Sequence, residues 1–315
     1  MKLFIKRLIF IFLGFYLFAE IISRILHIST DAPRMYQNSN NIIRYYPNQE
    51  GYWEGATHKW YINKFGFPGR NLPKSYDNLI TIIGPSVISN FMNPDSCRQM
   101  EILKKINPKN NYLELSRPGS NLLDYFDFIN EIDTLNPRLN LMYVLDKSFY
   151  KSIKKNSISN ATQLDLKTFK VSHPKYIESV FKNVLYNFKF AYYLYRKNNL
   201  HNFNRRISLF SSLFKISKPK KRGFKENFKK EDIEDISILL DFVKKNYQTD
   251  NVVMIFNDRN SKQIYNLVKS KGFQTLRFDS QNDDWTLEGD SHWSCYGHHQ
   301  AAKQVSAFLD ELTKN

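Results

Sequence analysis

The chain has 315 residues, 42% of them apolar and 15% aromatic, which is enough for one large domain or two small ones around a sizeable core. Its two cysteines, Cys97 and Cys295, exclude a small disulfide framework. The net charge of +16 is regional: 13 of the 46 Lys and Arg lie between Lys189 and Lys230 beside a single acid, Glu226, which leaves a balance of only about +4 elsewhere.

The first 27 residues read as a membrane signal. Lys2, Lys6 and Arg7 precede an apolar run from Leu8 to Ala19, which continues through Ile21, Ile22, Ile25 and Leu26 around Glu20 and Arg24. About 20 mainly apolar residues cross a bilayer. No small-x-small cleavage site follows, so an uncleaved anchor is expected in place of a removed signal peptide. Cations before the span place the N-terminus inside and the rest of the chain outside the cytoplasmic membrane. Glu20 and Arg24, four residues apart, are expected to pair on one helix face.

Residues 28–78 are polar and turn-rich, with Pro33, Pro47, Pro68 and Pro73, and read as an extended arm or linker. From residue 79 onward strand-like and helix-like runs alternate. Strands are expected at 79–83, 112–115, 139–145, 251–257 and 273–278. Helices are expected at 96–106, 121–135, 231–247, 260–271 and 297–312. Residues 147–230 interrupt the alternation with a basic, aromatic insertion. It has helix-like pieces near 176–198 and 203–214 and a loop at Ser217–Gly223. Repeated β-then-α units imply an α/β domain over 79–315, with a parallel sheet covered by helices on both faces. Ligands bind such sheets at the carboxyl ends of the strands.

That edge collects the residues with chemistry. Gly84-Pro85-Ser86 follows the first strand, where a serine on a sharp strand-to-helix turn exposes its hydroxyl. Gly119 follows the second strand and Asp146 the third. Asp290 and His292 follow the fifth, and a histidine two residues from an aspartate can supply a base and the group that orients it. Together they suggest a serine esterase or acyltransferase. Asp290, His292, His298 and His299 fall within ten residues, but their spacing matches no common zinc pattern, so neither metal nor cofactor is expected. Trp285 and Trp293 flank this block, either as a stacking platform for a sugar or as core residues. Cys97 and Cys295 follow the two motifs closely. Two free buried thiols are the leading reading, with a bridge as the alternative.

With these residues in place the chain resembles the SGNH (GDSL-like) hydrolase superfamily, from about Ile62 to Leu312. Gly84-Pro85-Ser86 stands where members have Gly-Asp-Ser, and Pro118-Gly119-Ser120 where the second block supplies its glycine. Asp290-Ser291-His292-Trp293 is similar to the D-x-H-W block of bacterial envelope esterases and polysaccharide O-acetyltransferases. The resemblance implies a three-layer, flavodoxin-like, five-stranded parallel sheet. It also implies a nucleophile Ser86, a base His292 oriented by Asp290, and an oxyanion hole from the N–H groups of Ser86 and Gly119; Trp293 and Asp146, beside these residues, are the expected substrate contacts. Two positions depart from the pattern. Pro85 replaces the aspartate, and Val144-Leu145-Asp146-Lys147 replaces a block that normally carries an oxyanion-donating asparagine. These departures keep open a non-catalytic member that binds a glycan or a partner. The basic insertion at 189–230 suits an anionic lipid surface or an acidic glycan better than nucleic acid, which an exported domain rarely meets.

Overall fold

The computed structural model describes residues 1–154, 161–197, 228–281, 283–312 and 314. The chain divides into two compact units. One comprises Met1–Pro33, Gly51–Lys59 and Ile177–Gly223; the other comprises Arg34–Glu50, Trp60–Tyr176 and Phe224–Asn315.

The larger unit is built on a parallel sheet of β1 (Leu79–Gly84), β2 (Asn111–Ser116), β3 (Leu139–Val144), β4 (Val252–Phe256) and β5 (Gln274–Arg277). The strand order is β2-β1-β3-β4-β5 and every pairing is parallel. This is the flavodoxin-like doubly wound order, whose strand sequence reverses between β1 and β3. All residues of β1, β3 and β4 are buried, which is why these segments read as unbroken apolar runs and not as alternating ones. Their side chains still alternate between two cores. Leu79 and Ile83 join Met142, Val144, Met254 and Phe256 on one face, while Ile80 and Ile82 join Leu141, Tyr143, Val253 and Ile255 on the other. Of the polar side chains in β1 and β3, Thr81 and Asn140 pair with each other, the Thr81 hydroxyl donating to Asn140 Oδ1 at 2.6 Å, while the Tyr143 hydroxyl donates to Gln99 Oε1 at 3.2 Å.

With the N-terminal helix counted as α1 (Lys2–Ile25), the longer helices of this unit are α2 (Gln99–Ile106), α3 (Leu122–Glu131), α4 (Lys230–Asn246), α5 (Lys262–Ser270) and α6 (Cys295–Leu312). The apolar stripes of α3, α4 and α5 cover the first core, those of α2 and α6 the second. Burying each Leu, Ile or Phe here contributes roughly 1.5–3 kcal/mol, so the sheet is a rigid platform for the loops at its carboxyl edge.

Two expectations about organisation are corrected. Much of 28–78 is not an arm. Met35–Gln37 pairs antiparallel with Ile43–Tyr45, Tyr45, Trp60 and Ile62 form a buried cluster, and Phe67 is fully buried with its ring 5.2 Å from that of Phe128. The prolines and polar residues dominate the composition, but these few apolar residues among them are enough to anchor the segment. The region 147–230 is also divided. Its first part carries a short helix, Asp146–Tyr150, and a hairpin of Gln163–Asp165 with Lys170–Ser172, and it packs Ile153 and Leu164 into the sheet unit's core. From Ile177 the chain belongs to the other unit. The expected pieces at 203–214 and Ser217–Gly223, and most of the basic run 189–230, lie outside the described residues.

The smaller unit contains α1 and two short helices, Val180–Tyr186 and Lys189–Lys197. α1 is long and apolar enough to cross a membrane, and nearly all its apolar side chains face outward. Glu20 and Arg24 pair at 2.8 Å as expected. Glu20 also accepts from the backbone N–H groups of Lys189 and Phe190, at 2.8 Å each, and so caps the helix that starts there. The Tyr16 and Phe190 rings meet edge to face beside this cap.

Candidate active site

β1 ends in Gly84, and the chain turns at Pro85 into a single helical turn, Ser86–Ser89. Gly84 is required here, because a Cβ at that position would lie 2.5 Å from Ile88 Cγ1 and 3.2 Å from Tyr143 Cβ. Pro85 precedes the turn in an extended conformation, and its carbonyl accepts from the N–H groups of Ile88 (2.9 Å) and Ser89 (3.1 Å). The turn closes at Asn90, which adopts φ +44°. Proline has no N–H to lose at a position preceding the first helical residue, so it fits this turn without an orphaned donor.

The imidazole of His292 bridges two partners. Nε2 lies 2.8 Å from Ser86 Oγ and Nδ1 lies 2.5 Å from Asp290 Oδ1. The histidine sits on a tight loop held by Leu287 N–H to His292 O (2.9 Å) and Asp290 N–H to Leu287 O (3.1 Å). Asp290 Oδ1 also accepts from the His292 backbone N–H at 2.9 Å. Burial alone would raise the Asp290 carboxyl, but the hydrogen bonds from His292 outweigh it and hold the group below its usual range. The aspartate therefore stays ionised beside the ring.

The loop after β2 hangs from the base of the same turn. Arg117 N–H donates to Gly84 O at 3.3 Å, and the Ser120 hydroxyl donates to Arg117 O at 2.6 Å. Arg117 is buried and paired with Asp124 at 2.9 Å. Asp124 completes a capping box with Asn121 at the start of α3 and accepts from Thr162 Oγ1 at 2.7 Å. Gly119 projects from this braced loop with φ +81° and open space where a Cβ would be. Its conformation suits glycine and its backbone is uncovered.

The two expected substrate contacts, Asp146 and Trp293, are each held by neighbouring residues. Asp146 turns its carboxylate away into structural bonds: it accepts from Asn260 Nδ2 at 3.2 Å and from Ser261 N–H at 3.0 Å. Desolvation raises its pKa in spite of those donors. It thus braces the start of α5, for which it is well placed at the end of β3. Trp293 is 3% exposed, so it is a core residue and not an open platform, packed among Tyr143, Phe278, Trp285 and His298. One side of it lines a small apolar cavity of about 10 Å³, together with Pro85, Val87, Tyr143 and Phe278. His298 points inward from α6, where burial pushes its pKa down to about 3, and its Nδ1 lies 3.2 Å from Gln99 Nε2.

The free-thiol reading of the cysteines is overturned, since Cys97 and Cys295 form a disulfide across 198 residues. Beside it, Asn93 Nδ2 donates to Trp293 O at 2.9 Å and to Asn90 Oδ1 at 2.6 Å, and Asn90 Nδ2 donates to Cys97 O at 3.0 Å. These contacts tie the segment after Ser86 to the segment after His292. Asn90 and Asn93 were not singled out in the sequence; their one signal is a pair of asparagines between a candidate nucleophile and a cysteine.

The fold and this edge define a class: a doubly wound α/β protein with serine, histidine and aspartate in one hydrogen-bonded row at the carboxyl end of its sheet. Solved structures similar to it are GDSL-like lipolytic proteins and esterases. The psychrotrophic esterase EstA from Pseudoalteromonas sp. is 8% identical, with TM-score 0.39, over 76% of this chain and 100% of that one. A member of the lipolytic G-D-S-L family from Veillonella parvula is 7% identical, with TM-score 0.36, over 73% and 96%. A carbohydrate esterase described as having divergent catalytic and non-catalytic binding functions is 11% identical, with TM-score 0.38, over 90% and 84%. No family profile and no curated protein matches the chain.

Proposed function

We propose that this chain is a membrane-anchored SGNH-type serine esterase or O-acyltransferase that acts on an acyl group, acetyl in particular, of an envelope glycan. The observation that carries the reading is the row Ser86 Oγ, His292 Nε2 (2.8 Å), His292 Nδ1, Asp290 Oδ1 (2.5 Å). In this reading His292 takes the Ser86 proton as the oxygen attacks the ester carbonyl, and Asp290 holds the ring in the tautomer that can accept it. The N–H groups of Ser86 and Gly119 receive the developing oxyanion, each such donor lowering the barrier by roughly 3 kcal/mol. His292 then protonates the leaving alcohol, giving an acyl-Ser86 ester. Water as acceptor makes an esterase and a sugar hydroxyl makes a transferase. The apolar cavity lined by both neighbours of Ser86 holds no more than about one water-sized group, so an acyl chain reaching into it would have to be short.

Placement outside the cytoplasmic membrane is supported by the cations Lys2, Lys6 and Arg7 before α1, and by the Cys97–Cys295 disulfide, a bond that persists in oxidising compartments. A second reading, a non-catalytic glycan- or partner-binding protein of an envelope system, is favoured by one observation: Asp146 offers no donor to an oxyanion, and its carboxylate is engaged by Asn260 and Ser261. Fluorophosphonate labelling of the full chain separates the two readings. Labelling of the wild type that disappears in Ser86→Ala and His292→Ala supports the enzyme. A folded wild-type chain that is not labelled supports the binding protein.

A further inference from the structure

The smaller unit contains a polar cavity of about 130 Å³ lined by Ser23, Arg24, His27, Ser29, Asp31 and Lys189. Arg24 ends α1, and Arg7 near its start lies 17 residues earlier, a rise of about 26 Å. In a bilayer with a hydrocarbon core of about 30 Å, a helix with Arg7 at one surface brings the Arg24 backbone to within about 4 Å of the other, a gap that the long arginine side chain spans by snorkelling to the headgroups. The cavity therefore lies at headgroup depth.

Its chemistry suits a phosphate group. Arg24 and Lys189 bring two cations, each held by one acid: Arg24 by Glu20 at 2.8 Å and Lys189 by Asp31 at 2.5 Å. A guanidinium with five donors and an ammonium with three can share themselves with a further anion. Ser29 is only 3% exposed, yet its hydroxyl has no hydrogen-bond partner among the described residues. A buried unpaired hydroxyl is costly, and a ligand oxygen would satisfy it.

The same unit also exposes apolar surface. Ile177, Val180, Phe181, Val184 and Phe188 are all exposed, the first three at 74%, 77% and 64%. Val180, Phe181 and Val184 share one face of the helix Val180–Tyr186, Ile177 and Phe188 flank that helix, and Lys189 follows directly after Phe188. An outward apolar stripe adjoining a cationic pocket is the pattern of a segment lying in a membrane interface.

We propose that this unit binds one glycerophospholipid. Its phosphodiester enters the cavity among Arg24, Ser29 and Lys189, and its acyl chains run along the face of Val180, Phe181, Val184 and Phe188. The site rests on the membrane-anchor reading and is independent of the serine chemistry. Residues 177–197 then form a second membrane contact beside α1.

Native mass spectrometry of the full chain in detergent, titrated with phosphatidylglycerol, phosphatidylethanolamine or phosphate-free diacylglycerol, tests the site. Both phospholipids are expected to be retained about tenfold more than diacylglycerol. Ser29→Ala should lower phospholipid retention several-fold while leaving the melting temperature unchanged or higher, an outcome that a purely structural serine would not give. Equal retention of all three lipids by the wild type overturns the proposal. Displacement of phospholipid by inorganic phosphate at equal concentration also overturns it, by assigning the cavity to free phosphate. A wild-type chain that stays soluble without detergent and does not float with phospholipid vesicles would instead refute the anchor on which the site depends.

Discussion

Asn93 donates its side-chain amide to the carbonyl of Trp293, 200 residues downstream, at 2.9 Å. Trp293 directly follows His292, and Asn93 is bonded to Asn90, which closes the turn begun at Ser86. The amide thus sets the spacing between the two side chains that must exchange a proton. Asn93→Asp keeps the shape and removes the donor. It is expected to slow fluorophosphonate labelling of Ser86 by tenfold or more, because ångström-scale misplacement of reacting groups costs up to about 100-fold. The variant loses both bonds that Nδ2 donates, to Trp293 O and Asn90 Oδ1, and sets a carboxylate oxygen against those acceptors at a buried position, so stability should also fall, by about 2 kcal/mol or more. Labelling rate and melting curve measured on the same sample distinguish positioning from general loss of fold.

The Cys97–Cys295 bond runs beside that amide and closes a loop of 198 residues. Loop-entropy arguments assign roughly 5 kcal/mol to a closure of this length. Reduction, or paired Cys97→Ser and Cys295→Ser replacement, is expected to lower the urea midpoint accordingly. Labelling of Ser86 should decline with it, since Cys295 lies three residues after His292. Urea curves with and without reductant check the first outcome, and a reduced wild type that labels at the full rate would refute the second.

Much of this site was readable in the chain because its parts are local. The run Leu79–Ile83, the glycine before Ser86 and the Asp-x-His of Asp290 and His292 each express a short-range rule: burial on both faces, a tight turn, a ring held by its neighbour. The five strands and their helices followed from the same runs and lie within a residue or two of expectation in most cases. Sequence could not show what depends on meetings at long range. The partner of Cys97, the reach of Asn93 and the diversion of Asp146 to Ser261 are products of chain crossing, and no periodicity encodes them. Trp293 illustrates the same limit: a tryptophan beside a site reads equally as a platform or as core, and only the rings of Tyr143, Phe278 and Trp285 around it decide. The packed part of 28–78 was hidden for a different reason, because its few apolar residues are diluted among prolines.

Glu114, in β2, is fully buried with Arg98, whose Nη1 lies 2.6 Å from Oε1. Burial pushes the carboxyl up to about 7, the Arg98 cation only partly opposing this, and the nearby Asp95 adds to the rise. A native carboxyl that titrates above its unfolded value binds more protons than the unfolded chain across the interval between the two. Stability therefore falls as pH rises from about 4.5 to 7, by an order of about 3 kcal/mol. Glu114→Gln is expected to flatten this slope, so that the wild-type advantage at pH 5 over pH 8 shrinks in the variant. Urea denaturation at the two pH values measures it, and an unchanged slope would show that Arg98 keeps Glu114 ionised throughout.

Gly297 marks where α6 meets the loop that carries His292. A Cβ there would collide with the backbone oxygen of Trp285 and come within 2.7 Å of the Trp285 Cβ. That carbonyl is already fixed, accepting from Ser294 N–H at 2.8 Å and from the Ser294 hydroxyl at 3.1 Å. Neither side can yield cheaply, so Gly297→Ala must shift α6 or the loop. Forcing a methyl into a packed contact costs about 1–3 kcal/mol. Such a displacement acts directly on the base, because residues 286–293 close on themselves through the Thr286–Trp293 bridge and carry Asp290 and His292 with them. Gly297→Ala is expected to lower the melting temperature and to slow Ser86 labelling by more than the stability loss explains. Ala301→Gly, one turn further along α6, removes a buried methyl without forcing a clash, and should lower stability while leaving the labelling rate of the folded fraction unchanged. If both variants slow labelling equally, the helix as a whole sets the position of His292, and close packing at Gly297 has no special part in it.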